Sequence, residues 1–284
     1  MAPRTWYFYD GFMSDKADLR YEPLLGLALG GGGALGAAHV GVLQELESRG
    51  IRPAVVVGTS AGAVVGAAYA AGIDLDELEQ IVIDSSWGDF GTFAFTPGLG
   101  VLDTVGLRAT IDRLAGPGLM IEDLPVRFGA VATDLVTRDV VLLDHGPVAD
   151  ALCASVSVPG LFRPARLNGH LLVDGGVVQN LPLEATFEMG ARHVIGVRLA
   201  AEWDALPAVR TAVRVHEFEI RDDVTMVRPH IGQRSQWVTR DLPALVELGR
   251  QAAIEALADY PESGSPAALN HRPRRTSAFL RPQP

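Results

Sequence analysis

Two apolar strands in this chain each run straight into a glycine turn and re-emerge as a helix, and this repeat constrains the fold more than any other feature. The first is LLGLAL, followed by Gly30–Gly33 and a helical stretch over Ala37–Ser48. The second is AVVV (Ala54–Val57), followed by Gly58-Thr59-Ser60 and the small-residue helix AGAVVGAAYAAG. A strand-loop-helix unit that repeats at once demands a parallel sheet covered by helices. Further strands are expected at Val126–Ala132, Val140–Leu143, Arg166–Leu167, Leu171–Val173 and His193–Leu199. Helices are expected at Leu75–Ile83, Thr104–Leu114, Val148–Ser155, Pro182–Met189 and Leu242–Asp259.

Composition excludes several classes. With 284 residues the chain can bury a full core, and 48% hydrophobic against 20% charged residues describes a globular protein. A net charge of −10 argues against a nucleic-acid groove. The single cysteine, Cys153, has no internal disulfide partner and reads as a small buried residue on an alanine-rich helix. No apolar run reaches the ~18–20 residues of a membrane span. The opening MAPRTWYFYDGFMSDK has no uninterrupted apolar stretch with a small-residue cleavage site. The expectation is therefore a cytoplasmic protein, at most peripheral to a membrane.

The chain divides into an extension over residues 1–23, a domain over 24–260 and a tail over 261–284. The tail is rich in Pro, Ser and Arg and is expected to be disordered. Within the domain, SSWGDFGTFAFTPGLG (Ser85–Gly100) carries Trp87, Phe90, Phe93 and Phe95. It reads either as an irregular packed loop or as a flap that covers an apolar pocket and makes transient contact with a membrane surface.

Gly31, Gly33 and Gly36 satisfy the dinucleotide fingerprint G-x-G-x-x-G. That fingerprint also wants an acidic residue closing the second strand to hold a ribose, and none is there. A P-loop is excluded because no G-K-[ST] follows. Where the acid should stand, the chain reads Gly58-Thr59-Ser60-Ala61-Gly62, which is G-x-S-x-G on a strand-to-helix turn. That is the setting of a nucleophile elbow, with the helix N-terminus directed at the serine oxygen. If the two strands are neighbours, the Gly31, Gly32, Gly33 and Ala34 amides stand beside Ser60 as an oxyanion hole. The alternative is a small-residue turn that lets helices pack closely.

A serine nucleophile needs a base. His39 lies beyond the first turn of its helix and His193 opens an apolar strand, and both read as structural. His145, His170, His216, His230 and His271 sit in no setting that marks a base. Asp174 does: LLVDGG places a carboxylate directly after an apolar strand, with Gly175 and Gly176 leaving room for another segment. A hairpin pairing Leu171–Val173 with Val177–Val178 is the alternative reading.

GGGALG, GTSAG and DGG, in this order, resemble the patatin-like phospholipases, bacterial members and neuropathy-target-esterase relatives included. The resemblance runs from about Leu25 to about Leu199 and includes ATDLVTRDVVLLDHG and ASVSVPGLFRPARLNGHLLVDGGVVQNLP. It implies a three-layer α/β sandwich with a mainly parallel central sheet. It also implies a Ser60–Asp174 dyad without a catalytic histidine, an oxyanion loop at Gly31–Gly33, a lipid or ester substrate, and no metal or cofactor. The family usually carries Arg or Lys where this chain has Leu35, which bears on rate and on anionic head groups. Two other readings stay open: an α/β-hydrolase with a Ser–His–Asp triad, and a non-catalytic nucleotide- or lipid-binding relative.

Overall fold

The computed structural model describes residues 24–85, 92–93, 102–103, 106, 108–110, 118–199 and 217–260. In chain order the elements are β1 (Leu25–Leu29), α1 (Ala37–Ser48), β2 (Val55–Thr59), α2 (Ala61–Ala70), α3 (Leu75–Asp84), β3 (Thr92–Phe93) and β4 (Leu102–Asp103). They continue with β5 (Arg127–Asp134), β6 (Val140–Leu143), α4 (Val148–Ser155), β7 (Ala165–Leu167), β8 (His170–Asp174), α5 (Leu183–Glu188), β9 (His193–Val197), β10 (Val224–Val227) and α6 (Leu242–Ala256).

One sheet organises the chain, in the order β10-β9-β1-β2-β5-β8-β7, with β6 also paired to β5. From β10 to β5 every pairing is parallel, as the strand-loop-helix repeat requires. β6, β8 and β7 are antiparallel, which the repeat does not foretell. The β5–β6 and β7–β8 connections are too short for a crossover; β7 and β8 are joined through Asn168 and Gly169, both at positive φ, a two-residue hairpin. β3 and β4 form a separate antiparallel ribbon.

The sheet is covered on both faces. Leu27, Leu29 and Val56 pack with α1, α2, α3, α4 and α6. The alternate residues Ala28, Val55 and Val57 face a thinner layer built around Leu181, Leu183 and Ala185 of α5 and its approach. Strands buried on both sides read as continuous apolar runs, which is why AVVV shows no alternation. On the thicker side α1 and α6 cross with their backbones in contact. A Cβ on Gly41 would lie 1.8 Å from the Val246 carbonyl oxygen, and one on Gly249 1.9 Å from that of Ala38.

Helices over Ala37–Ser48 and Val148–Ser155 and the strand Val140–Leu143 match expectation end for end, and the other expected elements within the described residues shift at their ends. β10 has no counterpart in the sequence reading, because VTMV is buried only at its two ends and shows neither alternation nor a full apolar run. The Asp-Gly-Gly hairpin does not form: a short 3-10 turn over Gly175–Val177 follows Asp174, and β8 pairs with β5 and β7 instead. Residues 1–23, the tail 261–284 and most of Ser85–Gly100 and Thr104–Leu114 lie outside the described residues. Among the described residues no helix is long and apolar enough to cross a membrane.

Candidate active site

The site is built where two strands meet end to end. β6 occupies one edge of β5 over Ala130–Thr133, so β2 and β8 must share the other edge. β2 arrives parallel and ends with Thr59 opposite Val131. β8 arrives antiparallel and ends with Asp174 opposite Ala132, the next position on β5. Ser60 and Asp174, 114 positions apart in sequence, are thereby set face to face.

The Ser60 side chain acts on the Asp174 carboxyl and lowers its pKa, and Asp174 Oδ1 accepts the Gly176 N–H at 2.7 Å. Burial dominates over both contacts and raises the Asp174 pKa to about 6. Its backbone N–H donates to the Ser157 carbonyl at 2.9 Å, which fixes the end of β8.

Ser60 stands at φ 53 and ψ −122, a conformation that a serine adopts only under constraint. Among the described residues the other non-glycine residues at positive φ are Arg138 and Asn168. The flanking glycines serve space. A Cβ on Gly58 would come within 2.3 Å of the Gly62 carbonyl oxygen, and one on Gly62 within 2.2 Å of that of Leu29. Thr59 Oγ1 donates to the Gln179 carbonyl at 3.1 Å. Ala61 opens α2 against Gly36, where a Cβ would lie 2.7 Å from that of Ala61.

The glycine loop lies beside this turn because β1 and β2 are paired in parallel, with Leu29 opposite Gly58. A Cβ on Gly31 would sit 3.2 Å from the Ser60 Cβ. Gly31 N–H donates to the Asn180 carbonyl at 3.1 Å, and Ala34 N–H to the Gln236 carbonyl at 2.9 Å. Among the described residues the Gly32 and Gly33 N–H groups have no protein acceptor. Of the expected hole residues Gly31–Ala34, the outer two amides are thus committed to holding the loop and the inner two are open. Gly33 is at φ +55 and its Cβ position is occupied by the Gln236 carbonyl at 2.6 Å, so only glycine fits. His39 Nε2 donates to the Gly30 carbonyl at 2.7 Å, while Nδ1 has no partner among the described residues. Complete burial lowers the His39 pKa to about 4 and keeps the ring neutral. Leu35 is 1% exposed and belongs to the core, so its side chain does not face the cleft.

A cleft opens over Ser60, Asp174 and the glycine loop, walled by Val64, Val82, Val158, Phe162, Trp237 and Leu242. No histidine and no cationic side chain lines it among the described residues. His145 pairs with Asp144, His170 with Asp134, His193 with Thr225 and His230 with Glu255. His216 and His271 lie outside the described residues.

Sequence reasoning missed the residues that shape these turns. Ser155, Gln179, Asn180 and Gln236 hold Ser60, Thr59, Gly31 and Ala34 respectively. Three of them fall in ASVSVPG and VVQNLP, stretches marked as family-like but given no chemistry. Gln236 lies in an irregular segment with no pattern at all.

The patatin-like phospholipase family model matches residues 27–187. An uncharacterized NTE family protein of Mycobacterium tuberculosis is 37% identical over 186 residues, covering 63% of this chain and 49% of its own length. The lysophospholipase NTE1 of Candida albicans is 29% identical over 206 residues, 70% of this chain and 15% of its own. The chain thus spans half or less of the length of these relatives. In fold it is similar to VipD from Legionella pneumophila, with a TM-score of 0.58 at 14% identity over 84% of this chain and 67% of that one. With the matched segment holding both strand-end turns and Asp174, this chain belongs to the patatin-like phospholipase family.

Proposed function

We propose that this protein hydrolyses acyl esters of lipids through a Ser60–Asp174 dyad. The observation that carries the proposal is the end-to-end meeting of β2 and β8 on β5, which sets a strained serine against a buried carboxylate. Asp174 accepts the Ser60 proton as Oγ attacks the acyl carbonyl, and the Gly32 and Gly33 amides take the oxyanion. Collapse expels the alcohol, which leaves with the proton held by Asp174. Water, deprotonated by the same carboxylate, then attacks the acyl-enzyme and releases the fatty acid, returning the proton to Ser60.

A carboxylate is a poor base at its ordinary pKa, and a value near 6 brings Asp174 closer to the working range. The apolar wall of the cleft suits an acyl chain. Val177 and Trp237, 40% and 37% exposed at the cleft, support a transient contact with a lipid surface. The Candida albicans relative, a lysophospholipase by name, supports a lipid as substrate.

The test is labelling by a fluorophosphonate probe together with turnover of p-nitrophenyl acyl esters and a lipid panel. The wild type is expected to label at Ser60 and to turn over. Ser60→Ala and Asp174→Asn are expected to lose at least about 10³-fold in kcat. The acid limb of kcat/KM should fall near pH 6, since Asp174 must be ionised to act. Turnover undiminished in either variant removes the dyad.

A further inference from the structure

The point where β2 and β8 abut leaves a problem that neither strand solves. β5 runs on past the end of β2, and the Val131 carbonyl faces the break between the two strand ends, where a Cβ on Gly175 would come within 2.3 Å of it. Ser60, meanwhile, has left the strand at positive φ and needs an acceptor for its buried-side N–H. One hydroxyl meets both needs. Ser155 Oγ, fully buried at the end of α4, accepts the Ser60 N–H at 2.9 Å and donates to the Val131 carbonyl at 2.7 Å.

The geometry points to Ser155 as the positioning residue of the nucleophile, a hydroxyl that clamps the backbone of Ser60 to β5 and holds its Oγ against Asp174 and the glycine loop. The inference rests on the dyad reading above. Ser60 at φ 53 persists only where its surroundings over-determine it, and of its backbone contacts the Ser155 bond is the one that fixes the turn to the sheet. Ser155 touches no reacting atom; it acts through Ser60.

Ser155→Ala removes one oxygen from a site that keeps its volume. It orphans the Ser60 N–H and the Val131 carbonyl together and lets the turn relax. A misplacement of the order of 1 Å at a nucleophile costs about 10- to 100-fold in kcat. KM should stay within about twofold, because the apolar wall is untouched. The pH profile should move as well. Burial, the Ser60 side chain and the Gly176 amide set the Asp174 ionisation, and the Ser60 contact lowers it. A displaced Ser60 lifts that restraint, so the acid limb of the variant shifts to higher pH.

The control is Thr186→Val, which deletes an equally buried hydroxyl bonded to the Pro182 carbonyl at 2.8 Å, away from the cleft. It should lower thermal stability comparably and leave kcat and the acid limb in place. Unchanged kcat and pH profile in a folded Ser155→Ala, beside an inactive Ser60→Ala, overturns the positioning role alone. Equal activity of wild type and Ser60→Ala overturns the dyad itself. Should Ser155→Ala not fold, a Ser155→Cys variant that folds and retains wild-type kcat and acid limb overturns the role, since a thiol is too weak a donor and acceptor to hold the clamp.

Discussion

The turn after β1 and the turn after β2 are built from the same local pattern and put to opposite uses. Both leave a buried parallel strand through glycine and enter a helix. In the first, two outer amides are bound by distant carbonyls and the inner pair, Gly32 and Gly33, has no acceptor among the described residues. In the second, the Ser60 N–H is taken by the Ser155 hydroxyl and what is presented is a side chain, Ser60, at a strained angle. Each turn is also backed by one buried titratable group, His39 behind the glycines and Asp174 beside the serine, with their pKa values displaced in opposite senses. Burial keeps His39 neutral by lowering its pKa and raises that of Asp174, as the proposed role of base requires. A pattern readable from sequence thus fixes the shape of a turn, while its chemical role is set by what reaches it from elsewhere.

The sharpest way to break the comparison is at Gly33. Gly33→Ala places a methyl 2.6 Å from the Gln236 carbonyl and at φ +55, which forces the loop out of place. Loss of the oxyanion donors is expected to cost about 10²- to 10³-fold in kcat. Gly72→Ala, at φ +80 with nothing within 4 Å, carries the same backbone strain without the crowding. It should cost stability and spare kcat; equal kcat in the two variants would show that the glycine loop plays no part in turnover.

Next in size is the pH dependence of stability. Asp174 binds its proton more tightly folded than unfolded, with a pKa about 6 against 3.8, so its contribution falls as pH rises through that window. His39 binds more weakly folded, about 4 against 6.5, so its contribution falls as pH drops through its window. The two slopes oppose each other between about pH 4 and 6 and largely cancel. Asp174→Asn should therefore gain up to about 3 kcal/mol above pH 6, and lose stability steeply in acid. His39→Gln should show the reverse slope, with stability falling from about pH 4 to pH 6. Denaturant titrations across pH check this, and parallel curves for all three proteins would refute the assignment of the two shifts.

The smallest effect is expected at the cleft wall. Trp237 belongs to the segment whose Gln236 carbonyl holds the glycine loop, and it borders the cleft. Trp237→Ala should change the preference among acyl chain lengths by about 3- to 10-fold, with kcat on the shortest ester near wild type. An unchanged chain-length profile would exclude this wall from acyl recognition.

By itself the sequence determined the parallel strand-loop-helix pair, the residue types at Ser60 and Asp174, and the helices that pack on the sheet. These follow from short-range sterics: buried strands need apolar runs, and tight turns need glycine. It left open whether Asp-Gly-Gly was a hairpin or a strand end, and it treated Gly31–Ala34 as four equivalent donors. Only the tertiary structure decided that β8 enters the same edge of β5 as β2, that Gly31 and Ala34 are bound by Asn180 and Gln236, and that Ser155 bridges the break. Those contacts join segments from 24 positions apart, as Ser155 and Val131, to 202 apart, as Ala34 and Gln236. No local pattern encodes them, because a carbonyl or a hydroxyl looks the same in sequence whether or not the fold brings it a partner.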